Sequence, residues 1–154
     1  MINNWLVCLV VLGLASGCSS APKYPNTHPK NVTINMKLGE GDQGGLFTSV
    51  DVAVGVNDIV NKCETSYQGY VDLKQGENKL GLAPGKPTYV MIEIARNSYG
   101  SGGSFGRGTV LTPKQGAQYV IDFNYVDSMF DFSLYELKKN KKIELPLIPL
   151  PACK

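Results

Sequence analysis

Histidine is nearly absent from this 154-residue chain, His28 being the single copy. An imidazole-dependent nucleophile or a histidine-rich zinc centre would therefore have to be built around one ring. That ring stands in the stretch Ser19 to Lys30, which holds three prolines and no apolar periodicity. A lone imidazole on such a linker has no fixed partners, and His28 reads as exposed spacer. Tryptophan does not occur after Trp5. Neither sign of charge dominates: 15 Lys and Arg against 13 Asp and Glu leave +2, too little to draw in nucleic acid or a strongly acidic partner. The one long apolar run, Trp5 to Leu14, is ten residues, against the roughly 20 that a membrane-spanning helix needs. No stretch has the period of an amphipathic helix, and no internal repeat suggests a propeller or solenoid.

Motifs with a chemical look fail their own requirements. Gly102-Gly103-Ser104-Phe105-Gly106 has the spacing of a nucleophile elbow, but that arrangement needs a strand-to-helix turn and a histidine after the serine, and none follows Ser104. Phe105 occupies the third glycine position of a dinucleotide fingerprint, and the Gly-Lys-Ser/Thr of a phosphate loop is missing. Glu40 with Asp42, and Asp127 with Asp131, lack the dense oxygen spacing of a calcium loop and read as solvated turn acids. No positive case for an enzyme, a metal or a cofactor emerges.

What is abundant is period-two alternation. Val32, Ile34, Met36 and Leu38 share one face of a strand, and Leu46, Thr48, Val50, Val52, Val54 and Val56 share one face of a longer strand expected to bend near Gly55. Tyr67 to Leu73, Leu80 with Leu82, Thr88 to Ala95, Gln118 to Val126, and Phe130 to Leu134 continue the pattern. Glu40 to Gly45 reads as a polar loop and Arg96 to Gly108 as a flexible glycine-rich loop. Prolines after Ile143 suit only an edge strand or an extended tail. Eight or nine short strands at spacings of about 8 to 12 residues predict an all-β, antiparallel β-sandwich over residues 31 to 154, with a small closed β-barrel as the alternative.

The apolar run ends in Leu14-Ala15-Ser16-Gly17-Cys18. A short apolar core followed by small residues and a cysteine resembles the lipobox of bacterial lipoproteins. The resemblance covers residues 1 to 18 and implies a signal peptide, 1 to 17, cut away by signal peptidase II, with diacylglycerol on the thiol of Cys18. That covalent lipid is the only non-protein group implied. Ser19 in the following position implies the outer membrane, with the periplasmic face and the cell surface both open. Residues 18 to 30 then form a tether, reaching on the order of 35 to 40 Å at about 3.1 Å per residue if extended, which would hold the domain clear of the headgroups.

With Cys8 removed in the leader and Cys18 acylated, Cys63 and Cys153 remain in a compartment that permits oxidation. They are expected to form a disulfide, with two free thiols or an intermolecular bridge as the alternatives.

Function is then bounded rather than fixed. The expectation is a lipid-anchored interaction module of the cell envelope, a subunit or accessory of a secretion or surface assembly, whose partners are the membrane and another envelope protein. A glycan- or peptidoglycan-binding lipoprotein is the alternative, and an inhibitor of a host lysozyme or protease fits the same compartment and size. Candidate contacts are Tyr99 and Phe105 in the glycine-rich loop, and the basic tip of Lys138, Lys139, Lys141 and Lys142. Cys18→Ala is expected to move the protein from the membrane fraction to the soluble one and to remove the acyl mass. A variant that stays in the membrane at unchanged mass would overturn the anchor.

Overall fold

Alternating apolar residues become nine strands in the computed structural model, which describes residues 21–153. The expected leader, Cys18 and Ser19 lie outside the described residues. The strands are β1 (Val32–Leu38), β2 (Thr48–Ile59), β3 (Thr65–Asp72), β4 (Gly76–Leu80), β5 (Thr88–Ser98), β6 (Ser101–Leu111), β7 (Gln118–Val126), β8 (Met129–Lys138) and β9 (Lys141–Leu145). They form a five-stranded sheet, β4-β1-β7-β8-β9, and a four-stranded sheet, β3-β2-β5-β6, with no closure into a barrel. The architecture is thus a β-sandwich. Every pairing is antiparallel except β1 with β7, which run parallel from Val32↔Tyr119 to Leu38↔Tyr125.

Successive side chains on a strand point to opposite faces, so one alternate set from each sheet meets in the middle. Val32, Ile34 and Met36 of β1, with Tyr119, Ile121 and Phe123 of β7, oppose Val52, Val54 and Val56 of β2 and Val90, Ile92 and Ile94 of β5. Phe123, Ile34, Ile92 and Ile121 are fully buried, and each such side chain stabilises the fold by roughly 1.5–3 kcal/mol.

Three local expectations are corrected. The stretch from Arg96 to Gly108 is not a loop: β6 pairs with β5 on every rung from Thr88↔Leu111 to Ser98↔Ser101. Glycine supplies no side chain for alternation to register, yet its amide and carbonyl pair like any other. Leu46 is not part of a core face; Gly45 and Thr48 exchange backbone hydrogen bonds of 2.8 and 3.2 Å, turning the chain before β2 begins. Within Glu40 to Gly45 the chain makes a 3-10 helix, Glu40–Asp42, and Asp42 is buried rather than solvated because its Oδ2 accepts from the Asp127 amide at 2.9 Å. Close to Gly55 the pairing of β2 with β3 shifts register between Val56 and Asn57, through a bulge on β3 that the alternation did not announce. Val56 faces Gly69 and Asn57 faces Tyr67, so Gln68 is the extra residue on β3.

A sandwich that does not close leaves two flanks, each made of one edge strand from either sheet. The N-terminal segment covers the flank of β3 and β4, correcting the reading of residues 18 to 30 as a free tether over the stretch from Pro22 to Asn26. Pro22 O accepts from Tyr70 N at 3.1 Å and Tyr24 N donates to Tyr70 O at 2.8 Å, adding a short parallel rung to β3. The Tyr24 hydroxyl then donates to Gly81 O at 3.1 Å, while Asn26 accepts from Gly81 N at 2.7 Å and donates to Lys79 O at 3.2 Å. Lys23 pairs with Asp72 and stands 4.0 Å above the Tyr70 ring. Two glycines make room for this strap. A Cβ on Gly69, whose φ is 130°, would lie 2.5 Å from Tyr24 N, and one on Gly81 would collide with the His28 carbonyl.

The opposite flank, β6 and β9, is crossed by the proline-rich tail. Ile148 N donates to Thr109 Oγ1 and Ile148 O accepts from Val110 N, both at 2.8 Å. The tail goes on to Cys153, which is joined to Cys63 in the β2–β3 turn with a Cα–Cα distance of 5.2 Å. That turn is shaped by Asn61, whose Oδ1 accepts from the amides of Cys63 and Glu64 at 3.0 Å each. The bridge spans 90 residues, and closing so long a loop is worth on the order of 4 to 5 kcal/mol in the chain-entropy account. Cys63→Ser with Cys153→Ser is expected to lower unfolding free energy in denaturant titration by up to that amount. Peptide mapping of the protein without reductant should recover the Cys63–Cys153 pair, and two free thiols would overturn it.

Candidate functional site

Three two-residue turns gather at one end of the sandwich. Ser98↔Ser101 is the last rung of the β5–β6 hairpin, leaving Tyr99 and Gly100 as its tip. Thr48↔Ser98 sets the Leu46-Phe47 turn beside that tip. In the other sheet, Val126↔Met129 closes β7 onto β8 around Asp127 and Ser128, whose φ values of 52° and 63° are those of a tight hairpin turn. The sheets are tied together here. Phe105 on β6 lies 5.1 Å from the Tyr125 ring and 5.8 Å from Phe130, in the tilted and edge-on geometries that aromatic rings favour. Asp42 receives the Asp127 amide from one sheet and stands 4.0 Å from Arg96 on the other.

Large apolar side chains project from these tips. Leu46 and Tyr99 are each 97% exposed, Phe47 77% and Met129 73%. A single exposed leucine needs no explanation, but four such residues on adjoining turns are a patch of the kind that marks an interaction surface. Aromatic residues and methionine are also the types enriched where proteins meet. Turn backbones bonded to themselves lose little freedom on binding, which lowers the entropic cost of contact.

Of the candidates from sequence, Tyr99 stands free at a tip. Phe105 belongs to the wall beneath it, 40% exposed and packed on Tyr125 and Phe130. Neither lies on a mobile glycine loop. The basic tip is elsewhere. β8 runs ten residues from Met129 to Lys138, so the Lys139-Asn140 turn lies roughly 30 Å from the apolar patch. Its charge is partly answered: Lys138 pairs with Glu136 at 3.3 Å, and Lys142 pairs with Asp122 at 2.5 Å while standing 5.0 Å over the Tyr135 ring. Among the described residues only Lys139 and Lys141 of the four lack an ion pair.

Leu46, Phe47 and Met129 are functional candidates that sequence reasoning missed. The signal was Gly44-Gly45 immediately before Leu46-Phe47, a turn marker that the valine alternation of β2 overran. Ser104 sits mid-strand opposite Ala95, not at an elbow. Among the described residues no group of three His, Cys, Asp or Glu side chains converges on a metal position. A cavity of about 230 Å³ between the flank of β6 and the tail is lined by Leu111, Tyr119, Leu134, Pro146 and Glu136, the last answered by Lys114 at 3.6 Å and by Lys138.

Compared with known protein families, curated proteins and solved structures, the chain matches none. The division of labour between Tyr99 and Phe105 is open to direct measurement. Phe105→Ala is expected to cost about 1–2 kcal/mol in denaturant unfolding, less than the 3–5 of a fully buried ring. Tyr99→Ser should stay within about 0.5 kcal/mol of the parent, and equal losses would show that Tyr99 is structural.

Proposed function

We propose that this protein is a lipid-anchored interaction module of the cell envelope, acting as a subunit or accessory of an envelope or surface assembly. It holds another envelope protein through the apolar end formed by Leu46, Phe47, Tyr99 and Met129. The observation that carries the reading is the exposure of these four side chains on adjoining, backbone-bonded turns. Burying one such side chain in a partner's pocket supplies roughly 1.5–3 kcal/mol, and the rigid tips keep most of that gain. The lipobox-like leader supports the compartment, and the covalent bridge is of a kind that persists where thiols oxidise.

Photo-crosslinking in intact cells tests the reading. A crosslinker at Tyr99 is expected to give a discrete protein adduct, whereas one at Lys139 should not. In a variant carrying Leu46→Ser, Phe47→Ser and Met129→Ser, adduct yield from position 99 should fall at least about tenfold, with unfolding little changed. Undiminished adducts would overturn the apolar end as the contact, and retention on purified cell wall that survives these changes would favour the glycan-binding alternative.

A further inference from the structure

The docked strap fixes more than a flank. Ala21 borders a groove of about 550 Å³ on the outer face of the four-stranded sheet, walled by Tyr67, Tyr70, Asp51, Asp72 and Glu93. The extra residue in β3 is what places Tyr67 beside Tyr70 on this face, with Gly69 between them turned inward. Cys18 precedes Ala21 by three residues. Even fully extended, three residues span no more than about 11 Å.

We propose that the Tyr67–Tyr70 face and its strap rest directly on the headgroup layer of the leaflet that holds the Cys18 anchor. The inference rests on the lipidation reading given above. The strap residues are bonded to Tyr70, Lys79 and Gly81, so the three residues ahead of Ala21 are all the slack the domain has, too little to stand clear. Tyrosine suits such a position, its ring apolar and its hydroxyl wet, and Tyr67 is 45% exposed there. Charge identifies the kind of surface. Lys23 is paired with Asp72 and Lys79 with Glu77, while Asp51 and Glu93 have no ion-pair partner among the described residues. Lys30 in the strap and Lys74 beside Tyr70 and Asp72 likewise have no ion-pair partner among the described residues, so the two signs balance and the surface suits a zwitterionic headgroup layer. Acyl chains and a short leash hold it there, not attraction to anionic lipid.

The direction of the apolar end follows. Gly55 on β2 pairs with Tyr70, and Phe47 lies eight residues back along the chain, roughly 25 Å away in the sheet direction. A domain lying on its Tyr67–Tyr70 flank presents Leu46, Phe47, Tyr99 and Met129 sideways, along the leaflet. The partner it reaches is a protein of the same membrane.

Collisional quenching decides the matter. The full-length lipidated protein is reconstituted in phosphatidylcholine vesicles with a headgroup-labelled quencher lipid, and a fluorescent amino acid is placed at Asp51, Tyr99 or Lys139. Quenching at Asp51 is expected to exceed that at the other two severalfold and to persist when salt is raised. A flexible Gly/Ser spacer inserted between Ser20 and Ala21 leaves the fold intact and should abolish the difference. Equal quenching at the three positions in the parent, or strongest quenching at Tyr99, would overturn the apposition. Failure of the parent to float with vesicles, with no acyl mass, would sink the lipidation reading itself and the apposition with it.

Discussion

Unpaired backbone at the edges is the constraint to which the rest of this fold answers. Two sheets of unequal strand number, stacked but not joined, expose four edge strands, and an exposed edge invites pairing with any passing chain. Here both ends of the chain are spent on the problem. The N-terminal segment bonds to β3 and β4, and the C-terminal tail bonds to β6 after leaving β9. Prolines suit these straps because a strap needs few amides. Pro22 contributes its carbonyl, and the tail uses only Ile148 at the point where it meets β6.

This arrangement explains what was legible in the sequence. Ile34, Val54, Ile92 and Phe123 sit where alternation places them, because burial on one face of a strand imprints a period of two on side chains. The sandwich and the pairing of Cys63 with Cys153 were legible for similar reasons, one from pattern and one from cysteine counting. What stayed hidden is held by backbone or by local polar bonds. β6 hides behind glycines, the strap hides behind prolines and Asn26, and the burial of Asp42 depends on the Asp127 amide, 85 residues away. The apolar end was half visible, through Tyr99 alone. Leu46 was absorbed into a neighbouring strand's pattern, and Phe105 proved to be the joint between the sheets.

The two ends of the sandwich differ in how their surface is used. At one end the lysines at the β8–β9 turn are partly matched by Glu136 and Asp122, in exposed pairs of a kind that add little to stability. At the other, the apolar side chains have no such matching, and the turns that carry them are bonded to themselves and to Asp42. Such rigidity beneath exposed apolar side chains is what the proposed contact requires, since little freedom is left to lose on binding.

The parallel pairing of β1 with β7 sets the tempo at which all this can form. Val32 meets Leu80 on one side and Tyr119 on the other, so neither neighbour of β1 is close in sequence. The hairpins β2–β3, β5–β6 and β7–β8 can close from short loops, but β1 must wait for most of the chain before it is flanked. Topologies dominated by such distant contacts fold in milliseconds to seconds rather than microseconds. During that interval a strand carrying Val32, Ile34, Met36 and Leu38 has both edges open, so a strand that ends up inside the finished sheet is open to wrong pairing on the way there.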